Sequence, residues 1–175
     1  MNEMIKGIKE RRSIRKFKPE MPEKKDLEQI IEAGLCAPNG KGKQSTIIVA
    51  VINKELRDKI SKANGKIGGW EEDFDPFYGA PAILIVLAEK DWPTRVYDGS
   101  LVMGNMMLAS HSLGLGSIWI HRAKEEFEKE EYQEILKSLG IEGEWEGIGH
   151  CAIGFIEGEN PKAPERKENR VFWVE

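Results

Sequence analysis

TRVYDGSLVMGNMMLASHSL, residues 94–113, decides the fold of this chain. Leu101, Val102, Met103, Met106, Met107, Leu108 and Ala109 place apolar groups around most of a helical circumference. A helix that is apolar all round is a buried helix. Gly99, Ser100, Gly104, Ala109 and Ser110 leave room for other backbones to come close. The pattern therefore predicts a core helix from Thr94 to Leu113, ended by Gly114-Leu115-Gly116, with the remaining elements packed around it.

Four short apolar runs surround that helix. Thr46–Ile52, Ala82–Ala88, Ser117–Ile120 and Gly147–Ile156 read as strands, the first two as buried ones. Met1, Met4, Ile5 and Ile8 have the spacing of an amphipathic helix. Pro22 starts a second helix, with Leu27, Ile30, Ile31, Gly34 and Leu35 on one face and Pro38 ending it. Asn53 caps a third, with Leu56, Ile60 and Ala63 inward, and Tyr132, Ile135, Leu136 and Leu139 mark another before Gly140. Residues 64–79 hold four glycines, Trp70 and Pro76 and read as a mobile loop or short helical lid. The tail is polar to Asn169 and then apolar at Val171-Phe172-Trp173-Val174, a patch expected to pair along a sheet edge, of this or another subunit. Helices and strands mix without a strict βαβ rhythm, and no Gly-x-Gly-x-x-Gly follows a strand. The fold class is α+β, one domain spanning residues 1–175.

A hydrophobic fraction of 40% and a charged fraction of 32% belong to an ordinary water-soluble domain. The net charge of −4 argues against a nucleic-acid partner. The N-terminus lacks the apolar core of a signal peptide, and no apolar stretch is long enough to span a bilayer, so a cytoplasmic location is expected. Cys36 and Cys151 lie in apolar contexts and read as buried free thiols.

Against the acidic background stands one basic cluster, Arg11-Arg12-Ser13-Ile14-Arg15-Lys16-Phe17. It has three readings: a solvated basic turn, a nucleic-acid arm, or a site for a ligand phosphate, which guanidinium forks and a hydroxyl suit well. Arg166-Lys167, with Arg170, repeats the theme near the end. His111, His121 and His150 share no metal-ligand spacing, and His111 on the core helix reads as a hydrogen-bonded structural residue. No Gly-x-Ser-x-Gly elbow or Cys/His pair suggests nucleophilic catalysis. A phosphate site without a catalytic constellation fits a cofactor that does the chemistry itself.

These pieces, taken in order, carry a resemblance. Arg11–Phe17, Ala37-Pro38-Asn39 followed by Gln44, Asp98 opening the long helix, Leu113–Ile120, and Arg166-Lys167 resemble the nitroreductase-like FMN-dependent oxidoreductases over essentially the whole chain. The resemblance implies a mostly antiparallel sheet flanked by helices, in an intertwined homodimer with a swapped C-terminal arm and FMN at the interface. It implies FMN-dependent oxidation of NADH or NADPH and ping-pong delivery of hydride, through flavin N5, to a nitroaromatic, quinone or similar small acceptor. The alternative is a flavin-binding or flavin-storage protein without nicotinamide-driven turnover. No side chain is expected to be catalytic.

By resemblance, Arg11, Ser13, Arg15, Arg166 and Lys167 hold the phosphate, and Arg12 joins them or turns to the ribityl chain. Pro38, Asn39 and Gly40 of the partner subunit lie against the ring. Gln44 bonds the ribityl chain or the pyrimidine edge. Ile120, His121 and Arg122 fall where main-chain donors meet N5 and O4. The chain departs from the family around Gln44, where it reads Gly42-Lys43-Gln44-Ser45-Thr46. The positive charge near flavin N1 then has four candidate sources: Lys41, Lys43, Lys66 and Arg122.

Overall fold

Ala82–Glu89 (β2) is the axis of the fold, and Ala82 through Ala88 are all buried. A run of seven such residues can only lie inside a sheet covered on both faces. The computed structural model, which describes residues 2–175, shows that arrangement. β2 pairs antiparallel with Thr46–Val51 (β1) on one side and Trp145–Gly154 (β4) on the other. Gly116–Ile120 (β3) pairs antiparallel with β4, giving the order β1-β2-β4-β3. The helices are Glu3–Glu10 (α1), Lys24–Leu35 (α2), Lys54–Gly68 (α3), Arg95–Ser112 (α4), Ala123–Phe127 (α5) and Glu130–Ser138 (α6).

Two cores sandwich the sheet. On one face Ile83, Ile85, Leu87, Ile118 and Ile120 pack with Ile60 of α3, Phe77, Phe127 of α5, and Tyr132 and Leu136 of α6. On the other, Ala82, Leu84, Val86, Cys151 and Ile153 pack with Leu27 and Ile30 of α2 and Val102, Met103 and Met106 of α4. A bulge in β4 breaks the alternation: Val86 faces Gly149 and Leu87 faces Gly147, so Ile148 is the extra residue. An inserted residue moves everything beyond it to the opposite face. That shift carries His150 to the α5 side of the sheet.

Several expectations change. The long helix is buried on one side only. Asp98, Gly99, Val102, Met103, Met106 and Ser110 are buried, while Val96, Tyr97 and Leu101 are exposed. The sheet and α2 cover part of its circumference, and none of the described residues covers Val96, Tyr97 and Leu101. The α1 face of Met4, Ile5 and Ile8 is likewise exposed, and Met1 lies outside the described residues. Val171–Val174 form no strand within the chain and stay exposed. Cys36 is exposed, not buried. Cys151 is fully buried, and burial pushes its thiol up to about 12. His111 is half-buried and makes no side-chain hydrogen bond among the described residues. Among the described residues no helix is long and apolar enough to cross a membrane.

Residues 64–79 are not a loop throughout. The first part completes α3, with Asn64 and Gly65 buried, and Phe77 is fully buried. Asp75 pins the rest. It accepts from Arg57 Nη2, Ser61 Oγ at 2.6 Å, the Phe77 amide at 3.0 Å and the Gly79 amide at 2.8 Å. Burial pushes the Asp75 carboxyl up, but the Arg57 and Ser61 hydrogen bonds, the Arg57 charge and the Gly79 amide outweigh it, so the net shift is downward. A carboxyl held low stabilises the fold above its unfolded value of about 4 and loses that contribution as pH falls through the folded value. Asp75→Asn should therefore cost about 2 kcal/mol at pH 7 and progressively less below pH 4. Urea midpoints of both proteins across that range give the comparison, and a cost independent of pH would contradict it.

Candidate functional site

The basic run owes its position to the sheet. Ser13 bridges Ser117 in parallel, Phe17 bridges Ile156 antiparallel, and the Ile14 amide donates to the Ser117 carbonyl at 3.1 Å. The Lys18 amide donates to Phe155 at 2.9 Å, and the Glu157 amide donates to Lys16 at 3.1 Å. Ile14 and Phe17 are buried, while Arg15 and Lys16 are exposed. Gly116 makes the approach possible, because a Cβ there would sit 2.8 Å from both Ile14 and Ile156.

This anchoring places Arg11 and Arg12 at a small cavity with Ser117, Gly116, His111 and Asn160. Arg12 Nη1 donates to the carbonyls of Lys9 at 2.7 Å and Arg11 at 2.6 Å. Arg12 Nε and Arg11 Nη1 are buried with no acceptor among the described residues. Burial, and then the Arg12 charge, push the Arg11 pKa below the usual guanidinium value, with the Cys151 thiol pulling weakly the other way. Two crowded guanidiniums with unspent buried donors are short of an anion. A phosphate dianion meets both needs at once.

A second segment, 38–44, is held from α4. Asp98 is 3% exposed and accepts from the Gly40 amide at 3.0 Å, Trp92 Nε1 at 3.1 Å and Thr94 Oγ1 at 2.9 Å. Gly40 has no room for a Cβ against Thr94. Asn39 Oδ1 accepts from the Gln44 amide at 2.9 Å, and Lys41 and Gln44 adopt positive φ of 54° and 52°. Gln44 and Pro38 are exposed.

The third segment follows β3. The Ile120 side chain is buried, His121 is exposed, and Arg122 has φ +78°. The Arg122 guanidinium lies 4.5 Å from the Trp70 ring centroid, and the Asn64 amide donates to the His121 carbonyl at 2.8 Å.

The described cavities bring Arg11 and Arg12 together but put neither with residues 38–44. Arg166 and Lys167 lie on the exposed tail, with no ion pair or side-chain hydrogen bond among the described residues. Of the four candidate cations, Lys43 pairs with Glu89 at 3.5 Å, while Lys41, Lys66 and Arg122, the last lying over the Trp70 ring, make no ion pair among the described residues. The sequence reading missed Asn64, Glu126 and His150, which meet beneath the end of β3. Glu126 stands in the acidic stretch Glu125-Glu126-Phe127-Glu128, where a buried carboxylate looks like its solvated neighbours.

Residues 8–68 and 69–155 match the family model described as the nitroreductase family. The chain belongs to the nitroreductase family. The crystal structure of a nitroreductase with bound FMN from Bacteroides fragilis NCTC 9343 superposes with a TM-score of 0.88 at 30% identity, covering all of both chains. A protein of Methanothermobacter thermautotrophicus, named provisionally as an NADH dehydrogenase/NAD(P)H nitroreductase, is 34% identical over 122 residues, 67% of this chain and 60% of its own length. An FMN reductase [NAD(P)H] of Bacillus subtilis is 29% identical over 67% of this chain and 53% of its own. The chain thus spans 60% and 53% of the lengths of these two curated relatives.

Proposed function

We propose that this nitroreductase-family chain is an FMN-dependent NAD(P)H oxidoreductase. The observation that carries the reading is the pair of buried, unpartnered guanidinium donors of Arg11 and Arg12 on a fold whose solved relative binds FMN. When bound, FMN supplies the chemistry, passing hydride from NADH or NADPH through N5 to a nitroaromatic, quinone or similar small acceptor in ping-pong order. The chain supplies the setting. Arg11, Arg12 and Ser13 take the phosphate end, with Arg15 at the rim and Arg166 and Lys167 brought in by the tail. Ile120, His121 and Arg122 present main chain to the ring. Pro38, Asn39 and Gly40 reach it from the second subunit of a homodimer, and Gln44 bonds the ribityl chain or the pyrimidine edge. Anaerobic addition of NADH and then NADPH to the purified, FMN-loaded protein should bleach its yellow colour, and acceptor should restore it. A yellow protein that neither nicotinamide bleaches would make it a flavin-storage protein. A colourless one after reconstitution would remove flavin altogether.

The dimer reading rests on exposed apolar surface. Val96, Tyr97 and Leu101 of α4, Met4 and Ile8 of α1, and Val171–Val174 all stand in water in the single chain, Phe172 and Trp173 each 83% exposed. Apolar area of this kind marks an interface. Deleting residues 168–175 should dissociate the dimer and release FMN in the same step, seen by light scattering and flavin absorbance. A flavin-loaded monomer would overturn it.

A further inference from the structure

Beneath the end of β3 lies a buried polar network, complete except for Asn64 Oδ1, which has no donor among the described residues. Glu126 and His150 are both fully buried, with Glu126 Oε2 2.7 Å from His150 Nε2. Glu126 Oε1 accepts from Asn64 Nδ2 at 2.9 Å, and the same Nδ2 donates to the His121 carbonyl at 2.8 Å. His150 Nδ1 faces the Ile120 carbonyl at 3.3 Å. A carbonyl only accepts, so Nδ1 carries a proton.

The network therefore grips two consecutive main-chain carbonyls. A trans peptide holds its C=O and the following N–H in one plane, pointing opposite ways. Turning the Ile120 and His121 carbonyls inward turns the His121 and Arg122 amides outward. Neither amide donates to any acceptor among the described residues. Arg122 keeps a left-handed φ of +78°, which a non-glycine residue holds only where its surroundings impose it.

We propose that Asn64, Glu126 and His150 are positioning residues that aim the His121 and Arg122 amides at the redox edge of the bound flavin and so set its reduction potential. The inference rests on the flavin reading above. Fixed dipoles at a redox centre act by binding its oxidised and reduced forms unequally. Asn64, Glu126 and His150 act through those two amides, from behind the main chain.

The test is the midpoint potential of FMN-loaded Asn64→Ala and His150→Phe, by anaerobic equilibration with reference dyes. Both should stay yellow, because the phosphate end of the site is separate. The ratio of affinities for oxidised and reduced flavin should move about tenfold, which for a two-electron couple is about 30 mV. Ile30→Val, in the core on the other face of the sheet, should leave the potential unchanged. Folded, yellow variants with wild-type potentials would overturn the positioning role and leave the network as core packing. A wild type that takes up no FMN would instead overturn the flavin reading, and this one with it. Should both variants fail to fold, amide hydrogen exchange of the wild type decides. Exchange at His121 and Arg122 should slow at least tenfold when FMN binds, and unchanged exchange would overturn the proposal.

Discussion

Arg11→Ala is expected to weaken FMN binding about 10- to 150-fold. A charge-assisted hydrogen bond lost from a phosphate costs about 1.5–3 kcal/mol, and each 1.4 kcal/mol is tenfold in affinity. Arg11 stands at the upper part of that range because its Nη1 is buried and has no other acceptor among the described residues. Arg15→Ala should cost less, since Arg15 is exposed and its charge is shared with water. The flavin-free protein should respond in the opposite sense. There Arg11 is a partly buried charge beside Arg12 with no ion pair among the described residues, so removing it leaves the melting temperature unchanged or higher. Flavin fluorescence titration and melting without FMN separate the two effects. Unchanged affinity would remove Arg11 from the site, and a large loss of apo stability would make it a structural residue.

Gly147→Ala is expected to cost about 3 kcal/mol or more and to release FMN with the lost structure. A Cβ at Gly147 would overlap the Ala123 carbonyl and lie 2.8 Å from the Ala123 side chain. The obstacle is the backbone of α5, which has no rotamer by which to step aside. Ala123 opens α5 one residue after Arg122, so the displacement passes directly into the strand end proposed to face the ring. Gly65→Ala, inside α3, is the control, because a Cβ there meets nothing nearer than 3.7 Å, an ordinary van der Waals contact. It should be neutral or stabilising by up to about 1 kcal/mol in the helix interior. A urea midpoint for Gly147→Ala equal to wild type would show that α5 can move without cost.

Much of the fold was legible because burial writes itself into apolar periodicity. Ala82–Ala88 read as a buried strand and is one, and the α2 face of Leu27 and Ile30 packs as its spacing predicted. Asn53 caps α3, accepting from the Leu56 amide at 2.9 Å. The short α5 was not legible, since five residues carry too little periodicity to register. The reading of 64–79 as a mobile loop or short helical lid met the structure in part: residues 64–68 are helical, while Asp75, one acidic residue among others, ties the following turn together.

The sequence by itself determined the α+β class, the main strands and helices, the basic run and the family, because each is a property of local spacing or of residue identity along the chain. Only the tertiary structure decided which face of the sheet His150 takes, because a single bulged residue reverses every side chain beyond it. Only the tertiary structure showed that Arg11 and Arg12 hold unspent buried donors, since satisfaction is a question of what lies nearby in space. It alone joined Asn64, Glu126 and His150, which are 62 and 24 residues apart along the chain and within hydrogen-bonding distance in the fold. Sequence patterns record what each residue prefers, and a site is made by which residues the packing brings together.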